Sequence, residues 1–238
     1  MKKFFALILA ICLALCGCNS ANSNISEPVQ ATYVPRSTYS ESENYVFNAY
    51  TGIDFTLPEK WTIYNDSKSL GQLHNLTDTE CSALDDGRWN DITSINYLPD
   101  YIIYGEKGGD KISVVYYPVA DGVTAESCCE SYIEMFRKMN NDIADRRSTH
   151  SRMHPLLPPN IIADGNAFES ENSSETTLEN ASERQLDFYT AEIKAEFWGK
   201  NAYEYGAFAQ IDNEYIIGIM FSTTNDTNVE DFWKTLGF

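Results

Sequence analysis

The chain reads as an α+β protein whose antiparallel sheet carries helices on both faces. Three observations predict this. Segments of alternating apolar and polar residues follow one another through short turns, as in hairpins, and do not alternate with helices as parallel βαβ units do. The run Tyr215-Ile216-Ile217-Gly218-Ile219-Met220-Phe221 is apolar at every position but glycine, which marks a central strand covered on each side. Between Thr124 and Met139, Cys128, Tyr132, Met135 and Met139 recur at helical spacing, and Cys129, Ile133 and Phe136 widen that stripe.

The elements follow in order. Tyr45-Val46-Phe47 predicts a first short strand. Gly52 to Leu57 puts Ile53, Phe55 and Leu57 on one face, Pro58-Glu59-Lys60 is a turn, and Trp61-Thr62-Ile63-Tyr64 alternates again, so these two segments are expected to form a hairpin. Asn65-Asp66-Ser67 can cap a helix running toward His74. Thr77 to Tyr97 carries no decisive pattern. Tyr101 to Gly105 and Lys111 to Tyr117 are expected strands joined by a glycine-containing turn. For the helix that follows, Ser127 with Glu130 and Thr124 both offer caps. Asp142 to Pro159, polar and then proline-rich, is expected to be a surface connection. Ile161 to Ala163 and Ala167-Phe168 flank a possible small hairpin. Glu169 to Arg184 is a Ser/Glu/Asn/Thr run expected to be a mobile loop. Ala191 to Trp198, Tyr203 to Gln210 and Tyr215 to Ser222 predict three antiparallel strands, and Thr227-Asn228-Val229-Glu230 opens a closing helix.

The N-terminus determines where the domain is expected to live. Lys2 and Lys3 precede the apolar run Phe4 to Leu15, and Leu15-Cys16-Gly17-Cys18 closes it. This tetrad resembles a bacterial lipobox, the signal for lipid transfer to Cys18 and cleavage before it; bulky Leu15 makes Cys16 a poor acceptor. The expected organisation is a signal peptide over 1–17, a flexible tether over 18–43 and one domain over 44–238. Such a protein sits on the extracytoplasmic face of a bacterial membrane, held by the lipid on Cys18. The whole chain has 17 Lys and Arg against 35 Asp and Glu. Without Lys2 and Lys3 the formal charge is −20, from 15 − 35. A domain so acidic is repelled by anionic lipid, and it lacks the basic footprint that nucleic-acid binding requires, so nucleic acid is excluded as a partner.

Cleavage would leave Cys81, Cys128 and Cys129 beside the lipidated Cys18. Three cysteines allow at most one internal disulfide, of Cys81 with Cys128 or Cys129. A bond between the vicinal pair cannot sit in a regular helix, and three small buried hydrophobes is the other reading. His150 and His154 are four apart, a spacing that on a helix puts both on one face, as zinc sites often do. Pro155 disfavours helical geometry at His154, so these two remain weak candidates, and no metal or other cofactor is assigned. The sequence contains no Gly-x-Ser-x-Gly elbow, His-Glu-x-x-His or P-loop.

Gly52-Ile53-Asp54-Phe55-Thr56-Leu57-Pro58-Glu59-Lys60-Trp61, with Tyr64 and Asp66 behind it, resembles the opening hairpin of PsbP-like domains. So does the far end, where Gln210-Ile211-Asp212-Asn213-Glu214-Tyr215-Ile216-Ile217-Gly218-Ile219 precedes a short closing helix. The resemblance implies an antiparallel sheet with helices on both faces and a non-enzymatic accessory or binding module. Its partner would be a protein or other envelope component of unknown identity. A metal-dependent envelope enzyme using His150 and His154 is the alternative.

Overall fold

The computed structural model describes residues 36–48, 51, 54–57, 59–86, 88, 91–105, 110–140, 143–156, 182–197 and 200–224. Two antiparallel sheets and three helices are built from them. The small sheet has the order β1 (Thr38–Ser40), β2 (Tyr45–Phe47), β3 (Asp54–Thr56). The large one contains β4 (Thr62–Tyr64), β5 (Leu98–Tyr104), β6 (Lys111–Pro118), β7 (Ala144–Leu156), β8 (Ser182–Phe197), β9 (Lys200–Gln210) and β10 (Tyr215–Thr223). Its strand order is β4-β5-β6-β10-β9-β8-β7. The helices are α1 (Ser67–His74), α2 (Asp78–Asp85) and α3 (Ala125–Met139). The fold is therefore α+β, an antiparallel sheet flanked by helices, as the sequence predicts.

The doubly apolar run forms β10, which pairs with β6 on one side and β9 on the other. Ile216, Ile217 and Ile219 are all but inaccessible to solvent. The antiparallel register fixes the two faces. Glu204, Gly206 and Phe208 of β9 lie beside Ser222, Met220 and Gly218 of β10, and α3 covers that face through Tyr132, whose ring sits 5.7 Å from that of Phe208. The opposite face carries Tyr116 and Tyr215, 6.1 Å apart, and receives the small sheet, where Asn48 bonds the Tyr116 hydroxyl. The expected closing helix over 227–238 lies outside the described residues.

Local sequence explains the helix boundaries. Asp66 caps α1 by accepting from Ser69 N at 2.9 Å, and Asn75 ends it in the left-handed region that asparagine tolerates. Thr124, the alternative to Ser127, is the cap of α3, and Ser127 completes a capping box. The unassigned stretch after Thr77 contains α2, which opens with a full Thr77/Glu80 capping box. Glu80 does more than cap. Its carboxylate also accepts from Thr93 N at 2.9 Å and Ser94 N at 2.7 Å, pinning the segment that leads into β5. These bonds, the Ser94 hydroxyl foremost, hold Glu80 far below the ordinary carboxylate range.

Four expectations are corrected. The opening hairpin does not form: β3 pairs with β2, whereas β4 pairs with β5. Lys60, at a φ of 67°, redirects the chain from one sheet to the other. The segment 142–159 is no connection, because thirteen of its residues form β7, paired with β8 from Ala144↔Lys194 to Leu156↔Ser182. A proline is compatible with such a strand only at a sheet edge, where β7 lies. The folded part begins earlier than residue 44, since β1 lies within the stretch expected to be tether. Residues 182–184 of the expected loop belong to β8; its remainder, and the small hairpin expected over 161–168, lie outside the described residues.

Candidate functional site

Cys18 lies outside the described residues. Among the described residues no disulfide joins Cys81, Cys128 and Cys129. Cys81 belongs to α2 and lies against Gly71 of α1: a Cβ on that glycine would come within 2.1 Å of Cys81 Sγ. Cys128 and Cys129 are buried in α3. Burial, followed by Glu130, pushes the Cys129 thiol up to about 12, and burial with Asp78 raises Cys81. Both stay protonated near neutrality, the condition of space-filling cysteines rather than of nucleophiles. His150 and His154 sit on one strand, β7. Four strand residues span roughly 13 Å, so their backbones are carried apart where a helical turn would stack them. His150 is exposed, and its Nε2 lies 3.1 Å from Ser148 Oγ. Among the described residues no group of three or more His, Cys, Asp or Glu side chains could hold a metal ion.

The register assembles a set of groups that the sequence did not single out. One transverse row of the sheet reads Glu204 (β9), Ser222 (β10), Lys111 (β6), Tyr104 (β5). Glu204 is 6% exposed and Lys111 4% exposed. Glu204 accepts from the Ser222 hydroxyl and, at 3.3 Å, from that of Tyr132 on α3. Burial raises its carboxyl to about 7 against the pull of Ser222, Lys111 and Tyr132. Lys111 Nζ lies 5.9 Å from the centroid of the Tyr104 ring, its neighbour in the row.

On the same side His74 ends α1, its Nδ1 3.0 Å from the Tyr97 hydroxyl. Burial, and behind it the Lys111 charge, pushes the imidazole down to about 3, so it is neutral at physiological pH. Its Nε2, like Ser113 Oγ one row further in, is buried without a hydrogen-bond partner among the described residues. The carboxyl thus holds a proton near neutrality inside a wall of hydroxyl and aromatic groups. The alternation Glu204-Gly206-Phe208 was the available signal: period-two reading puts Glu204 on the face that holds glycine and phenylalanine.

A second polar cluster joins the two sheets. Asp100, 0% exposed, accepts from Ser37 N at 2.7 Å, Ser37 Oγ at 2.6 Å and Tyr116 Oη at 3.3 Å. Asn48 donates to Tyr116 Oη at 2.9 Å and to Ser37 Oγ at 3.1 Å, and receives Thr51 N at 2.9 Å. Arg36 Nε stands 3.8 Å from Asp100 Oδ1, an ion pair without a hydrogen bond, while its Nη2 bonds the Asn65 carbonyl. Burial raises the Asp100 pKa although Ser37 and Arg36 oppose it.

The outer strand is the third feature. On β7, Arg147 pairs with Glu130 of α3 at 2.6 Å and Asp145 with Arg137 at 2.8 Å. Positions 145 and 147 therefore face the helix, and 144, 146, 148 and 150 take the other face. No known protein family matches this chain, and no curated protein is significantly similar to it.

Proposed function

We propose that this protein is a lipid-anchored, extracytoplasmic binding or accessory module, with a PsbP-like domain held at the membrane by Cys18. The observation that carries the reading is Leu15-Cys16-Gly17-Cys18 behind a short charged and apolar leader. The domain's chemistry supports the non-enzymatic half. Its interior carboxyls, Glu204 and Asp100, are enclosed by hydroxyl and amide donors of the same chain at 6% and 0% exposure. A general acid or base must reach a substrate atom within hydrogen-bonding distance, whereas these groups spend that reach on their own fold. The charge of the domain suits a protein held at a membrane by covalent lipid rather than by electrostatic attraction.

Metabolic labelling with a fatty-acid analogue tests the anchor. The wild-type chain should be tagged and recovered with membranes, and Cys18→Ala should be untagged. Label persisting in Cys18→Ala overturns the reading.

A further inference from the structure

We propose that the outer edge of β7 is a docking strand for an extended acidic peptide segment of a partner protein. The proposal rests on the binding-module reading above and names its partner class. β7 ends the seven-stranded sheet, and among the described residues no strand pairs with its outer side. It is thirteen residues long and paired with β8 throughout. A long edge offers a row of backbone donors and acceptors to which an extended segment can add as a further strand.

The charge of this edge runs against that of the chain. Acidic residues outnumber basic ones by 35 to 17 overall, yet β7 carries Arg146, Arg147 and Arg152, with His150 and His154, against Asp145 alone. The helix-facing pair is already used, Arg147 by Glu130 and Asp145 by Arg137. Arg146 is on the opposite face, exposed, and makes no ion pair among the described residues, although Glu192 stands across from it on β8. Position 150 shares its side of the strand.

An acidic segment is repelled over most of such a surface and attracted to this edge at Arg146, so charge would set its place. A lipid headgroup could use the charge but not the strand edge, and the rest of the domain would be repelled by an anionic bilayer. A second copy pairing through β7 would set one cationic strip against another.

The test uses the full chain in neutral detergent and a fluorescent peptide alternating glutamate with threonine. A second peptide carries the same charge with prolines in place of some threonines. Vesicles of equal parts phosphatidylglycerol and phosphatidylcholine supply the lipid arm. The expected result is binding of the alternating peptide that weakens with salt and falls about fivefold in Arg146→Glu at low ionic strength. Arg146→Gln, which removes a charge without adding one, should lie between, with the thermal unfolding of both variants unchanged. The proline peptide should bind weakly, since it cannot complete a ladder. Equal binding of the two peptides, indifference to Arg146→Glu, or binding to vesicles in place of the peptide overturns the proposal. Fatty-acid labelling at Cys18 is read separately: a chain that is labelled but ignores the peptide keeps its anchor and loses this docking strand.

Discussion

At the scale of single residues, Glu204 and His74 make stability depend on pH in opposite senses. Glu204 titrates at about 7 in the fold against an ordinary 4.5, so the folded state holds its proton more tightly than the unfolded chain does. The stability this contributes is fully present below pH 4.5 and lost as pH rises through 7, at most about 3 kcal/mol. His74 is depressed from 6.5 to about 3. The unfolded chain protonates it first, so its contribution is present above pH 6.5 and is lost as pH falls toward 3. The two slopes oppose each other between pH 4.5 and 6.5, and Glu204 acts alone from there to 7. Glu204→Gln mimics the protonated acid. It should leave stability at pH 5 nearly unchanged and raise it by about 1–3 kcal/mol at pH 8, read from urea unfolding at the two pH values. A variant destabilised equally at both would mean that Glu204 is charged in the fold and paired with Lys111.

At the scale of elements, α1 and α2 meet where a helix-interior glycine faces a cysteine. Alanine in place of Gly71 should gain up to about 1 kcal/mol from helix propensity, but its Cβ would fall 2.1 Å from Cys81 Sγ. Gly71→Ala alone should therefore cost about 1–3 kcal/mol, as overpacking does. In a Cys81→Ala background the nearest remaining atom is the residue-81 Cβ at 3.7 Å, an ordinary contact, and the same substitution should become neutral or stabilising. Denaturant midpoints of the four chains give the coupling, and purely additive effects would refute this account of Cys81.

The same scale shows what was legible in the sequence. Strands with a buried face were: β10 and β9 appear close to their observed bounds because both need apolar residues at set spacing. Caps with local partners were too, as at Asp66. β7 was not, because an edge strand with much exposed surface can be written almost wholly in polar residues, and Pro155 is permitted there. Nor was α2, whose anchor Glu80 takes its decisive partners thirteen and fourteen residues away at Thr93 and Ser94. The Glu204 row depends on the pairing of four strands, a relation that no local window contains.

At the scale of the whole molecule, the question is how the N-terminal segment is fastened to the sheet that gives the domain its stability. The small sheet spans few residues and, among the described residues, pairs only within itself, so its position depends on side chains that cross to the large one. Val46 and Leu57 supply apolar contact, at 0% and 2% exposure. Direction comes from Asp100, which binds the Ser37 backbone and hydroxyl and shares Tyr116 with Asn48. This fastens the start of the described chain to β5, second from one edge of the large sheet, so a load applied at Ser37 would reach that sheet through the Asp100 cluster. Asp100→Ala would strand Ser37 N and weaken the Tyr116 bridge, at a cost of about 2–4 kcal/mol. The loss should be local first. Brief proteolysis under native conditions should cut the variant within residues 36–57 while β5, β6 and β8 to β10 stay intact, and the wild type should resist there. Cleavage that begins in the large sheet, or resistance equal to wild type, would mean that Val46 and Leu57 hold the small sheet in place without the polar cluster.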